Sequence, residues 1–156
     1  MLLGFVFVGL IILADQLIKM QVVNYIKTVG EITIIPGFLN ISYVENRGAA
    51  FGFLQGFKYF FIIVSLIMIL AFIYFIFLKK INNKLFLAAS ILIIGGGIGN
   101  LIDRFTLGYV IDYIKVSFFP PVCNLADYCI SVGAGLLLLY FLFFSQEKEN
   151  LNSETI

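Results

Sequence analysis

Four apolar runs, each about as long as a bilayer is thick, leave this chain few ways to fold. They cover residues 2–23, 57–78, 85–105 and 122–144, and roughly 20 apolar residues suffice for one helix to cross the hydrocarbon layer. Backbone inside lipid must satisfy its own hydrogen bonds, which selects helices. Of the 156 residues, 62% are hydrophobic and 12% charged, against about 45–50% and about 25% in a soluble domain. So small a globule cannot hide that excess. The sequence therefore predicts an all-α membrane protein of four transmembrane helices, forming a single integral membrane domain over residues 1–156. The first run lacks a basic leader and a small-residue cleavage site, and it carries Asp15 and Lys19. It reads as a retained helix rather than a signal peptide.

Between residues 24 and 56 the character changes. Glu31–Ile35 and Phe38–Val44 are β-branched and aromatic, and Pro36-Gly37 marks a turn between them. This predicts a small extracytoplasmic β-sheet, a cradle at the interface between helices 1 and 2. It runs into Glu45-Asn46-Arg47-Gly48-Ala49-Ala50-Phe51-Gly52, small and polar enough to bring backbone close to a ligand. Lys79, Lys80 and Lys84 make the densest basic cluster, in a short loop, and short basic loops stay in the cytoplasm. Both termini, including the polar tail 145–156, are then cytoplasmic, and the cradle lies on the outer face.

Net charge is +1 and no basic stripe is present, which argues against a nucleic-acid partner. The chain has no histidine, so Ser-His and Cys-His nucleophiles and imidazole zinc sites are excluded. Acid–base chemistry falls to Asp, Glu, Lys, Tyr or Cys. Cys123 and Cys129, six apart, suggest neither a disulfide framework nor a metal site, and read as small packing residues. No metal or cofactor is expected. Small residues at i and i+4, Gly95 with Gly99 and Ser131 with Gly135, predict close helix contacts in lipid.

The polar residues that remain gather at helix ends. Asp15 and Lys19, at i and i+4, share a face and can neutralise each other. Asn100, Asp103 and Arg104 share a face at the end of the third run, with Asp103 expected to pair with Arg104 and orient it. Asp112 stands among apolar residues that would raise its pKa. Pro120-Pro121 enforces an extended stretch, after which Asn124 and Asp127 share a face at i and i+3. Two carboxylates a few ångströms apart cannot both ionise easily, so one keeps its proton and the pair holds both an acid and a base. By spacing alone, a catalytic pair of Asp112 and Asp127 and a set of buried structural polar groups both fit.

Asp15-Gln16-x-x-Lys19, Asn46-Arg47-Gly48-Ala49-Ala50-Phe51-Gly52, Gly99-Asn100-x-x-Asp103-Arg104, Val110-Ile111-Asp112-Tyr113 and Asn124-x-Ala126-Asp127 resemble, in order, the signature blocks of bacterial lipoprotein signal peptidases. The resemblance covers nearly the whole chain. It implies an aspartic endopeptidase of the bacterial cytoplasmic (inner) membrane, facing the extracytoplasmic side. Such an enzyme cuts diacylglyceryl-modified prolipoproteins on the N-terminal side of the lipid-bearing cysteine, using water. Asp112 and Asp127 match the catalytic aspartates. Asn46, Gly48, Asn100, Arg104 and Asn124 match positions that shape the site and hold substrate. Asp15, Lys19 and Asp103 match supporting polar positions. Membrane lipid and globomycin-type inhibitors are the other partners implied.

Cys123 stands where an aromatic is common, Tyr113 where phenylalanine is frequent, and Cys129 where a small polar residue is usual. Two other classes are weighed. Ion- or proton-coupled transport would need charged residues through the membrane's depth, yet the second run holds none after Lys58. A magnesium-dependent lipid head-group transferase would cluster its carboxylates around the metal, and here they are spread singly.

Overall fold

The computed structural model describes residues 2–48, 57–78, 81 and 83–144. Among them four helices are long and apolar enough to cross a membrane: α1 Leu2–Val29, α2 Lys58–Phe77, α3 Lys84–Thr106 and α4 Leu125–Phe144. The chain is a multi-pass membrane protein. The outward faces stay apolar, as lipid requires, with Ile67 and Leu70 of α2 about 60% exposed. Residues 49–56, with Ala49–Gly52 of the expected ligand loop, lie outside the described residues. So do Lys79 and Lys80 of the basic loop and the tail 145–156.

The sheet corrects an expectation. Its four antiparallel strands run in the order β1-β2-β3-β4. The strands β1 (Ile32–Ile35) and β2 (Leu39–Asn46) precede α2, whereas β3 (Val110–Val116) and β4 (Phe119–Cys123) follow α3. The sheet is thus not confined between helices 1 and 2; it is completed only after the third helix. Gly108 at φ +86° makes this possible, ending α3 in the left-handed region that glycine permits and turning the chain into β3. Val44 pairs with Asp112 and Asn46 with Val110 across β2 and β3. Pro120 and Pro121 sit in β4, an edge strand where a missing N–H does no harm.

The first helix also runs further than its apolar run. A π-helical turn at Val22–Ile26 carries α1 on to Val29. In that turn Val22 and Ile26 are buried against Ile111 and Tyr113 of β3, so one continuous rod joins the membrane core to the sheet.

The run Gly95-Gly96-Gly97-Ile98-Gly99 lets α3 stand at the centre of the bundle. Built Cβ atoms on Gly95 and Gly99 would meet Ile11 and Asp15 of α1 at 2.9 and 2.7 Å. One on Gly96 would meet the Ala126 carbonyl oxygen of α4 at 2.5 Å, and one on Gly97 would meet Ile69 of α2 at 3.7 Å. From the other side, Gly133 of α4 fits against Ile93 and Ala89. The expected Ser131–Gly135 face is not this contact. Gly135 meets nothing within 4 Å, because position 133 lies on the opposite side of the helix from 131 and 135.

Gly96→Ala is therefore expected to destabilise the protein by about 1–3 kcal/mol, since its new methyl meets rigid backbone. Thermal unfolding in detergent measures this. Gly135→Ala, in open space, is expected to leave the midpoint where it is.

Candidate active site

The polar core is built around an ammonium group. Lys19 is 1% exposed, and its Nζ lies 2.8 Å from Asp15 Oδ2, 2.9 Å from Asp103 Oδ2 and 2.9 Å from Asn100 Oδ1. Those three oxygens match the three donors of the group. The Asp15–Lys19 pair is thus joined by a second acid, and the expected Asp103–Arg104 pair is replaced. Adjacent residues on a helix diverge by about 100°, so Asp103 turns inward to Lys19 while Arg104 turns away. Asp103 also accepts from Gln16 Nε2 at 3.0 Å and from the Ile111 backbone N–H at 3.1 Å. Through it α1, α3 and the strand bearing Asp112 are tied together. Gln16 lies within the first signature block, and its contacts with Asp103 and the Gly99 carbonyl depend on how α1 and α3 pack, which its position in the block does not tell.

Asn100 and Asn124 connect this core to the two remaining aspartates, and Asn46 holds Asp112 from β2. The Asn100 Oδ1 is committed to Lys19, which turns its Nδ2 to Asp127 Oδ1 at 2.7 Å. Asn124 precedes α4 and caps it, with Oδ1 accepting the Asp127 N–H at 2.9 Å while Asp127 Oδ2 accepts the Asn124 N–H at 3.1 Å. This is a reciprocal capping box with an aspartate in the acidic place. It leaves Asn124 Nδ2 to donate to Asp112 Oδ1 at 2.6 Å and Asn100 Oδ1 at 3.1 Å. Asn46 Oδ1 accepts from the Gly48 N–H at 3.0 Å, so its Nδ2 donates to Asp112 Oδ2 at 2.8 Å. Each amide is oriented by an obligate donor on its oxygen. Both oxygens of each carboxyl are thereby held, with lone pairs left for a proton or a water.

The two carboxyls differ in access. Asp112 is 1% exposed, in β3 between Ile111 and Tyr113, which turn to the opposite side of the strand. Burial first, and then the negative charge of Asp127, push its carboxyl up to about 7. Asp127 is half-buried and lines a groove of roughly 520 Å³ together with Asn46, Gly48, Arg104, Phe119 and Tyr128. Arg104 stands over the Phe61 ring of α2, 5.1 Å from its centroid. Cys123 borders the same groove, and burial pushes its thiol up to about 11. Its thiol is therefore neutral at ordinary pH.

The sequence-derived residues Asp15, Lys19, Asn46, Asn100, Asp103, Asp112, Asn124 and Asp127 thus form one hydrogen-bonded network, with Gly48 attached through Asn46 and Arg104 on the groove side. Two aromatics border it: the Phe61 ring lies under Arg104, and the Tyr113 hydroxyl accepts from the Leu125 N–H beside Asn124. An aromatic among many in an apolar helix carries no sequence signal for such a role.

A profile of the family described as "Signal peptidase (SPase) II" matches residues 7–143. The chain is similar to a lipoprotein signal peptidase of Caldanaerobacter subterraneus subsp. tengcongensis, 42% identical over 142 residues that cover 91% of this chain and 97% of the relative. It is similar to another from Halothermothrix orenii, 41% identical over 144 residues, covering 92% and 97%. Among solved structures it is similar to a bacterial membrane enzyme determined by the in meso method at 2.3 Å resolution. That likeness has a TM-score of 0.83 at 32% identity and covers 89% of this chain and 87% of the other.

Proposed function

Because the chain belongs to the signal peptidase II family, we propose that it cleaves the signal peptide from diacylglyceryl-modified prolipoproteins, with Asp112 and Asp127 as an acid/base pair acting on water. The observation that carries this reading is the convergence of the two carboxyls, from different elements, on the buried Asn124, with Asp127 lining the groove.

One proton is shared by the pair. The ionised partner takes a proton from water as it attacks the scissile carbonyl, on the N-terminal side of the lipid-bearing cysteine. The protonated partner gives its proton to the carbonyl oxygen, which makes a gem-diol; as the C–N bond breaks, the proton taken from water passes to the leaving amine, and the gem-diol returns its proton to the pair. Asn46, Asn100 and Asn124 hold the carboxyls in place, and Arg104 offers its fork to substrate carbonyls in the groove. Substrate lipid rests on the apolar wall at Phe119 and on surrounding membrane lipid. Globomycin-type inhibitors are expected to block the same groove. The enzyme sits in the bacterial cytoplasmic membrane with both termini and the Lys84 loop inside and the groove at the outer face, following the rule that keeps short basic loops in the cytoplasm.

The test is cleavage of a purified lipid-modified precursor in detergent, from about pH 5 to about pH 9. The Asp112 carboxyl sits at about 7, so turnover is expected to fall as pH rises through neutrality and the shared proton is lost. The limb belongs to the pair, not to either residue. A carboxyl pair acting on water needs no metal, and among the described residues no group of three or more Cys, Asp or Glu is placed to hold one, so a chelator is expected to leave turnover unchanged. Loss of activity with chelator, or turnover that climbs steadily into alkali, would refute the dyad.

A further inference from the structure

The start of α4, the helix carrying Asp127, is held from several parts of the chain at once. The first backbone donors of a helix have no partner inside it. Here the Asp127 N–H donates to Asn124 Oδ1 at 2.9 Å, and the Ala126 N–H to Asp15 Oδ1 of α1 at 3.1 Å. The donor at Leu125 goes to the phenol oxygen of Tyr113, 3.2 Å away. Tyr113 is 4% exposed and directly follows Asp112 in β3. Its ring packs with Val22, Ile26 and Ile111, on the side of the strand that Asp112 does not use.

We infer that Tyr113 is a positioning residue for the pair. Its hydroxyl ties the strand bearing Asp112 to the first turn of the helix bearing Asp127, and so sets the spacing of the two carboxyls. The link runs parallel to the one through Asn124, from the opposite face of the strand. Asp15 and Asn100 hold the helix start against α1 and α3, and these two ties fix it against the strand from both of the strand's faces. Burial pushes the phenol above its ordinary range, so the hydroxyl stays a neutral acceptor wherever the protein works. Removing it leaves the ring packed, but the Leu125 N–H then has no protein partner and the first turn can shift. Because Tyr113 touches neither the groove nor the reacting atoms, its effect falls on the chemical step and not on substrate binding.

This inference rests on the proposed dyad, and the experiment separates the two. Full-length Tyr113→Phe in detergent, with lipid-modified precursor, is expected to lose about tenfold in kcat with KM within about twofold, since small misplacements of catalytic groups are expensive in rate. Its alkaline limb should move as the coupling between the carboxyls changes. On a Leu125→Pro background the hydroxyl has no donor to hold, and proline is favoured at the first helical position. The same deletion should there change kcat by less than about twofold. Amide exchange at Leu125 should rise in Tyr113→Phe whatever the protein cleaves. Wild-type kcat and pH profile in Tyr113→Phe, an equal loss in both backgrounds, or unchanged exchange at Leu125 overturns the inference. Failure of the wild-type protein to cut the precursor overturns the functional reading, and the exchange result then stands on its own.

Discussion

Asp112→Asn and Asp127→Asn are each expected to lower cleavage of lipid-modified precursor by at least about a thousandfold, because the pair's shared proton supplies both acid and base. The double variant should be hardly worse than either single one, since residues that act as a unit do not add. The fold should survive. In Asp112→Asn one amide N–H₂ must face a donor, Asn46 or Asn124, where an oxygen now accepts at 2.8 or 2.6 Å. That mismatch costs about 1–3 kcal/mol. It is offset in part as pH rises. The Asp112 carboxyl is raised from 3.8 to about 7 in the folded protein, so between those values the native state holds a proton that the unfolded state has released. Wild-type stability attributable to this group is full below about pH 4 and falls until about pH 7. Asp112→Asn has no such group. Its melting temperature should therefore approach that of wild type as pH increases, while its activity stays absent. Substantial turnover by either single variant would sink the dyad.

The parts of this architecture that depend on near neighbours could be read from the residues alone. Apolar runs of bilayer length announced four helices, and Asp15–Lys19 and Asn124–Asp127 announced shared faces through helical spacing. What escaped depends on distant pairing. The strand holding Asp112 is short, apolar and preceded by a glycine, and nothing local says that it completes a sheet begun before α2. Its partner residues Val44 and Asn46 lie far back in the chain. Asp103 offers the same lesson in charge. Arg104 is its chain neighbour, but the buried ammonium of Lys19 is its neighbour in space at 2.9 Å. Competition between a half-exposed guanidinium and a buried amine is decided by which way α3 faces, and the glycines against α1 decide that. The glycine run holds more than its spacing tells: Gly95 and Gly99 share the contact with α1, while Gly96 and Gly97 between them meet α4 and α2.

Lys19→Met should produce the largest loss of stability of any single change in the network. The ammonium is 1% exposed and is the cation paired with both Asp15 and Asp103. Removing it leaves two carboxylates buried in the membrane region without a countercharge, and breaking a buried pair from one side costs about 3–5 kcal/mol. Lys19→Arg should not rescue it. A planar fork with five donors cannot point three of them at oxygens that converge on one atom. Restoring charge balance separates the structural role from the catalytic one. Lys19→Met combined with Asp15→Asn and Asp103→Asn removes the uncompensated charges and should recover part of the lost melting temperature in detergent. It should not recover cleavage. Asn100 Oδ1 is held toward Lys19 at 2.9 Å, and that bond turns its Nδ2 toward Asp127 at 2.7 Å. Without the ammonium only Asn124 Nδ2, 3.1 Å away, still holds that oxygen, and a flip that presents oxygen to a carboxyl needing a donor becomes easier. Recovery of both fold and turnover in the triple variant would mean that Lys19 serves only to neutralise charge and that Asn124 alone keeps Asn100 oriented.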